Sequence, residues 1–465
     1  MKSLKEIKVA LLLGRGCEAC GITMCALQIQ RAFPNCRIFF CNDKRWGREK
    51  AHVYRSDTVA FKVGDDAQME AAAKEFSTYD LVIVMSTPSK SHPHEAQVNF
   101  FRLLEKINTK ISLVNLDHKS QSISRNAFYN RCCAAVDVLL THSLENAFCQ
   151  YIKKHEINIP IKKMRLGFDY DAHRVKYWKP IEEQDSRIVR WIGRLSGWKG
   201  PNIMTDFHEH HLVDLGMITC LEGLEASISW KDIVYDKEKN GHYVHAKFVI
   251  NYFRSEKPGW KFSDDLYTSM RINSGAYLFP PYNNHDCMER MSRSGFGSDL
   301  YHLPAEFYGD NIENCHAEIV GCGAVPIFHK HFAENIKHVK TGNVAARDEN
   351  TGTLFLDTDS FEECARSIIR LKDDNVLRNE WREMAFEYWK AHSNIHETAE
   401  EILKTSYYAN KITDRKPILE LQEFRIPWEQ DEEAVKESKI KSREKMRRMK
   451  SAQETQETKI EEFFE

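Results

Sequence analysis

Short continuous apolar runs alternate with stretches of helical periodicity along the first 180 residues. The runs Ile7–Leu13, Cys36–Cys41, Asp80–Met85, Ile111–Leu116 and Val136–Thr141 predict strands. Between them, Gly21–Phe33, Gln68–Phe76, Glu95–Ile107 and Leu144–Lys154 place apolar residues at helical spacing. Strands that are apolar on both faces need cover on both, so the pattern implies a parallel sheet between two helical layers. A polar stretch, Trp178–Ser186, interrupts the rhythm and reads as an interdomain linker. The alternation then restarts with predicted strands Arg187–Ile192, Gly216–Leu221, Lys247–Tyr252 and Ala324–Phe328. Helical patterns at Ser360–Lys372 and Val376–Ala391 close this second half. The fold class is therefore α/β, with two doubly wound halves whose loops meet across a cleft.

Beyond Trp428 the pattern is lost. Glu429–Glu433 is acidic, Lys436–Lys450 carries eight Lys or Arg against two Glu, and Glu454–Glu465 is acidic apart from Lys459. Such a segment forms a charged helix or a disordered tail outside the globular fold. The expected organisation is residues 1–180, residues 187–400, a closing segment 401–428 and a tail 429–465. Over 465 residues, Lys plus Arg is 66, Asp plus Glu is 68, and the net charge is −2. That balance excludes indiscriminate coating of a polyanion, so any nucleic-acid contact must be local. With 42% hydrophobic and 29% charged residues, wholesale disorder is excluded too. No run approaches the ~20 apolar residues of a membrane span. The N-terminal apolar run is too short for an export signal. Thirteen cysteines without a repeating framework point to free thiols in a reducing cytoplasm.

Three segments carry candidate chemistry. The first strand runs into Gly14-Arg-Gly16-Cys17-Glu-Ala-Cys20-Gly21, where glycines allow close backbone approach and a helix N-terminus favours an anion. Its spacing is not that of a nicotinamide fingerprint. Cys17 and Cys20 have no second pair at zinc-ligand spacing, so they read as small residues lining a tight turn. The second strand-to-helix segment, R-W-I-G-R-L-S-G-W-K-G, ends in Arg194 and Lys199. A guanidinium fork and an ammonium at a cleft mouth suit a diphosphate and stabilise charge on a departing nucleotide. The third, N-I-E-N-C-H-A-E-I-V-G, opens a helix with Glu313 and Glu318, whose carboxylates suit sugar or ribose hydroxyls.

R-W-I-G-R-x-x-x-W-K-G, Leu221–Ser227 (L-E-G-L-E-x-S), Met288–Gly297 (M-E-R-M-S-R-S-G-F-G) and Arg15–Thr23 are all present. With Asp117-His118-Lys119-Ser120 and Thr141-His142-Ser143, they resemble the motifs of the DNA α-glucosyltransferases of T-even bacteriophages. The resemblance runs from about residue 7 to about residue 400. It implies a GT-B fold, two Rossmann-like domains around a cleft. It also implies transfer of a sugar, with retention and no cofactor, from a UDP-sugar to 5-hydroxymethylcytosine in duplex DNA. The setting implied is the cytoplasm of an infected bacterium, where the modification protects phage DNA from restriction. By the same resemblance Arg194 and Lys199 hold the diphosphate, Glu318 the ribose and Glu313 the donor sugar. Gly16 approaches the phosphate, Ser294, Gly295, Phe296 and Gly297 lie by the uracil and its connecting loop, and Asp117 stands near the reacting carbon. This chain has Leu116 where the family has a histidine before that aspartate, which opens a second option: a pentose donor such as UDP-arabinose. Asp310, eight residues before Glu318, competes with Glu313 for the sugar-facing place.

For the acceptor, the basic and aromatic segment 43–55 supplies Lys44, Arg45, Arg48 and Lys50 for phosphates and Trp46 for a wedge. Chemistry on a paired base calls for its extrusion, and Lys119 and Arg125 are placed to hold it or its flanking phosphate. In the tail, Ile460, Phe463 and Phe464 have the spacing of peptides that bind a replication sliding clamp. Two other readings remain: a GT-B enzyme with a non-DNA acceptor, and an inactive DNA- or clamp-associated adaptor.

Overall fold

The computed structural model describes residues 2–14, 21–41, 58–87, 94–115, 132–144, 146–193, 199–222, 260–262, 275–279, 284–301, 313–330, 347–348 and 350–409. The first sheet is built from β1 (Val9–Leu13), β2 (Cys36–Cys41), β3 (Thr58–Phe61), β4 (Leu81–Ser86), β5 (Lys110–Asn115), β6 (Val138–Thr141) and β7 (Ile161–Lys163). All seven are parallel, in the order β3-β2-β1-β4-β5-β6-β7. The helices are α1 (Gly21–Ala32), α2 (Asp66–Phe76), α3 (His94–Lys106) and α4 (Ala147–Lys154). Every residue of β1 and β4 is buried because alternate side chains feed two separate cores. Leu12, Val82 and Val84 meet Phe39, Phe76 and Phe100 on one face, and Leu11, Leu13 and Ile83 meet Ile29 and Phe33 on the other. Each such side chain contributes about 1.5–3 kcal/mol relative to exposure. Asp65 caps α2 by accepting the Gln68 N–H at 2.8 Å.

Eight strands form the second sheet: β8 (Asp185–Ile192), β9 (Ile218–Glu222), β10 (Trp260–Phe262), β11 (Gly275–Phe279), β12 (Ser294–Asp299), β13 (Val325–His329), β14 (Arg347–Asp348) and β15 (Thr353–Leu356). Their order is β10-β11-β9-β8-β12-β13-β15-β14, parallel except for the β14–β15 edge. Two doubly wound sheets in succession agree with the fold class read from the chain. Around the second sheet lie α5 (Tyr170–Tyr177), α6 (Pro201–Phe207), α7 (Asn284–Ser292), α8 (Asn314–Gly321), α9 (Phe361–Asp373) and α10 (Asn375–His392). The expected strand Lys247–Tyr252 lies outside the described residues, as do Leu116, Cys17, Cys20, Asp310 and the tail.

One central strand carries little hydrophobic sequence. Ser294–Gly297 opens β12, and all six residues of that strand are buried. Small residues serve packing here. A Cβ on Gly297 would come within 2.5 Å of Ile319 and 2.7 Å of Met291, so the glycine lets α7 and α8 approach the sheet.

Packing also crosses the expected boundary near residue 180. Helix α5 precedes it in the chain, yet Tyr170 and Tyr177 belong to the core of the second sheet. A last helix, α11 (Ile395–Ile402), returns to the first sheet and buries Ile395, Ala399 and Ile402 beside α1. At the start of the linker between the halves, the guanidiniums of Arg174 and Arg382 each lie 4.1 Å from the Trp178 ring. Among the described residues no helix is long and apolar enough to cross a membrane.

Candidate active site

In the second sheet the chain winds outward from β8 to β9 on one side and from β12 to β13 on the other. The strand order therefore reverses between β8 and β12, and the crevice beyond their C-terminal ends is where such sheets take ligands. Three charged residues converge there. Lys199 follows β8, Asp299 ends β12, and Glu313 is the N-cap of α8. The Lys199 ammonium donates to Asp299 Oδ2 at 3.1 Å and to Glu313 Oε2 at 2.5 Å, and lies 4.4 Å from the Tyr301 ring centroid.

The backbone before α6 fixes the lysine. The Trp191 indole N–H donates to the Lys199 carbonyl at 3.1 Å. Gly200 then adopts φ +62°, and a Cβ there would meet the Leu300 carbonyl oxygen at 2.8 Å, so only glycine allows this entry into α6. Opposite, the Glu313 backbone N–H donates to His316 Nδ1 at 3.1 Å, which leaves Nε2 as the donor to the Asp299 carbonyl at 3.3 Å. One imidazole thereby ties the start of α8 to the end of β12. Burial, with the nearby Lys199 charge, pushes the His316 pKa down to about 3, so the ring is neutral.

Burial alone would lower the Lys199 pKa, but the charges of Asp299 and Glu313 more than offset it and hold the ammonium charged. The two acids diverge. Burial raises Asp299 above the usual carboxylate range against the pull of Lys199. Glu313 also feels burial, yet Lys199 and, less strongly, His316 and His142 bring it below that range. One ammonium serves two carboxylates, and the more exposed of the two keeps its charge.

Of the residues singled out in the sequence, Lys199 and Glu313 meet directly. Glu318 lies five residues further along α8 and is 4% exposed. Its charge acts on Tyr177 of α5, Cys287 of α7, and Cys315 and Cys322 beside it. Ser294, Gly295, Phe296 and Gly297 lie inside the sheet, as described above; it is Asp299, at the end of the same strand, that reaches the crevice. Gly16, Asp117, Arg194, Lys44, Arg45, Trp46, Arg48, Lys50, Lys119, Arg125, Ile460, Phe463 and Phe464 are outside the described residues.

Several contributors had no distinct signal in the chain. Asp299 closes S-G-F-G-S-D, which lacks the apolar run that marks a buried strand. His142 is fully buried at the end of β6, and its influence on Glu313 brings the first sheet to the site. The Asn314 side chain donates to the Gly21 carbonyl at 2.8 Å, joining the start of α8 to the start of α1. Beneath the crevice, Glu222 accepts from Arg190 at 2.8 Å and from Arg290, while Arg190 Nε donates to Ser294 Oγ at 3.1 Å. All three charged residues are buried.

Comparison with known proteins places this geometry in a wider setting. A family model described as DNA alpha-glucosyltransferase matches residues 20–376. The DNA alpha-glucosyltransferase of Enterobacteria phage T4 is 28% identical over 406 residues, spanning 83% of this chain and 96% of the phage protein. Among solved structures, an alpha-glucosyltransferase in complex with UDP and a 13-mer DNA containing an HMU base superposes with a TM-score of 0.72 at 25% identity. That match covers 86% of this chain and 99% of the other. An alpha-glucosyltransferase with UDP-glucose and DNA containing an abasic site gives the same score and identity, over 86% and 98% of the two chains.

Proposed function

The chain belongs to the DNA α-glucosyltransferase family, and from that premise we propose that it transfers glucose from UDP-glucose to 5-hydroxymethylcytosine in duplex DNA, retaining the anomeric configuration. The observation that carries the proposal is the Lys199 ammonium, held charged and buried at the reversal point of the second sheet, within reach of an N-cap carboxylate. A fixed cation there is suited to the diphosphate of a nucleotide sugar.

In this reading Lys199 and Arg194 bind the two phosphates, Glu318 the ribose, and Glu313 the sugar hydroxyls once the lysine has turned to the phosphates. Gly16 brings backbone N–H groups to the donor from the first domain, and the Asn314–Gly21 hydrogen bond joins that turn to the Glu313 end of α8. The bond from the sugar C1 to the departing diphosphate breaks, and the acceptor oxygen bonds to C1 on the same face. The acceptor proton leaves to Asp117 or to the departing phosphate oxygen. Lys44, Arg45, Trp46, Arg48 and Lys50 engage the duplex, with Lys119 and Arg125 at the extruded base. Ile460, Phe463 and Phe464 form a tail peptide for a sliding clamp, which raises the enzyme's concentration on new DNA. The product shields phage DNA from restriction in the infected cell.

Leu116 favours one variant of this reading, a pentose donor, because an apolar side chain replaces a polar one beside the sugar. Equal amounts of labelled UDP-glucose and UDP-arabinose, offered separately with duplexes containing cytosine or 5-hydroxymethylcytosine, decide between them. Glucose label in the hydroxymethylated duplex alone is the expected result. Arabinose label in its place makes the enzyme a pentosyltransferase, and DNA binding without any label reduces it to an adaptor.

A further inference from the structure

Asp299 takes no part in the donor contacts above, yet it is the most enclosed acid of the site. Its side chain has no exposed surface, and its neighbour Lys199 retains 8%. Oδ2 accepts from the ammonium at 3.1 Å. Oδ1 is buried and makes no well-formed hydrogen bond, and the Tyr301 backbone gives the carboxyl only weak support. A carboxylate enclosed in this way is poorly solvated as an anion, and a proton on Oδ1 relieves it.

The groups facing Asp299 among the described residues are few. From α8 come Glu313, the neutral His316, whose Nε2 is 3.8 Å from Oδ2, and the Cys315 thiol, which burial pushes well up. From the segment before α6 comes Lys199, and from the end of β12 the ring of Tyr301. Among the described residues Lys199 is thus the one cation facing these two carboxylates. A diphosphate adds two further negative charges to this enclosure, and Glu313 must yield its place on the ammonium.

We propose that Asp299 is a positioning residue that takes up a proton as the donor's diphosphate displaces Glu313 from Lys199, keeping the lysine anchored from the sheet side while its charge passes to the phosphates. The inference rests on the UDP-sugar reading above. One of the two charges that the dianion brings is offset by the proton taken from solvent onto Asp299, the other faces the Arg194 guanidinium of the donor reading, and Glu313 remains ionised to meet the sugar. Burial already raises the Asp299 pKa to about 7, so a further rise on binding falls where it is measurable. The sign follows directly. Because the bound form has the higher pKa, binding is tightest below the free-state value and weakens as pH rises towards the bound-state value.

Calorimetric titration of the full chain with UDP-glucose, without DNA, in two buffers of different ionisation enthalpy measures the uptake. UDP-glucose is the right probe because its phosphates do not titrate near neutrality. Wild type takes up a fraction of a proton near pH 8, and Kd weakens about fivefold between about pH 7 and about pH 9, about half of the tenfold full span that a one-unit rise in one pKa gives. Asp299→Asn keeps an oxygen that can accept from Lys199 but has no proton to gain, so its uptake vanishes and its Kd varies far less with pH. Binding without proton uptake in wild type overturns the proposal, as does undiminished uptake in Asp299→Asn. A flat wild-type pH profile overturns it even if the variant does not fold. Absence of UDP-glucose binding at every pH overturns the donor reading itself, and this inference with it.

Discussion

Replacing Lys199 with methionine lowers kcat/KM for sugar transfer by about 10²–10³-fold, the usual cost of removing one fixed group that stabilises developing charge. Methionine fills the space of the aliphatic stem, so the change isolates the ammonium. In the wild-type site that ammonium is buried, bonded to two carboxylates and kept charged by them. Its charge is therefore available at any working pH without solvent rearrangement. After substitution Asp299 and Glu313 face each other without a cation, and one of them holds a proton at neutral pH. Steady-state kinetics with DNA saturating and UDP-glucose varied check the expectation. The loss is to appear in kcat as well as in donor KM, because the charge on the diphosphate grows as the C1–O bond breaks. Lys199→Arg does not fully restore the rate, since a planar fork cannot satisfy Asp299 and Glu313 as a compact ammonium does.

The second large effect concerns stability. Glu222→Ala removes the carboxylate that holds Arg190 and Arg290 together beneath the crevice, and leaves two guanidiniums buried side by side. Breaking a buried ion pair by deleting one partner costs about 3–5 kcal/mol. Burial and the adjacent Arg190 charge already press on Arg290, so the loss is unrelieved. Urea unfolding followed by Trp fluorescence reads the change, and Trp191 and Trp389, both in the second-sheet cores, report on that half. A transition moved to much lower urea is expected for the second half, with the first half's transition little changed. Two overlapping transitions are to be fitted, since a two-domain chain need not unfold in one step.

The chain's patterning carried much of this architecture. Apolar runs located β1, β2, β4, β5, β6, β8 and β13 to within a few residues, because strands buried on both faces need continuous hydrophobic sequence. β12 escaped the same reasoning: five of its six residues are Ser, Gly or Asp, selected for close approach of α7 and α8 rather than for hydrophobicity. The crossing of α5 and α11 between the two bodies was equally hidden. Amphipathic periodicity says that a helix buries one face but not which sheet covers it. At the site, Lys199 and Glu313 stood out because a cation after a strand and an acid before a helix have recognisable places. Asp299 and His316 acquire their roles only through tertiary contact, across 100 residues in the first case. Free thiols were also legible from the odd cysteine count; among the described residues eleven cysteines are free and most are buried.

The near-neutral net charge takes on a definite meaning in this setting. Among the described residues the charged groups at the crevice are largely spent on one another, Lys199 on two acids and Glu222 on two arginines. What binds there must exchange with an existing partner rather than fill an empty charge. Such exchange suits an enzyme that releases its nucleotide after each transfer.

The central claim, transfer with retention to the hydroxymethyl group of the base, is tested most directly on the product itself. Duplex DNA containing 5-hydroxymethylcytosine is incubated with the enzyme and UDP-glucose, digested to nucleosides, and analysed by mass spectrometry and by proton NMR of the sugar's anomeric position. The expected product is 5-hydroxymethyl-2′-deoxycytidine carrying one hexose in α linkage at the base hydroxymethyl oxygen. A β linkage, a sugar attached elsewhere, or unmodified nucleoside after prolonged incubation contradicts the account.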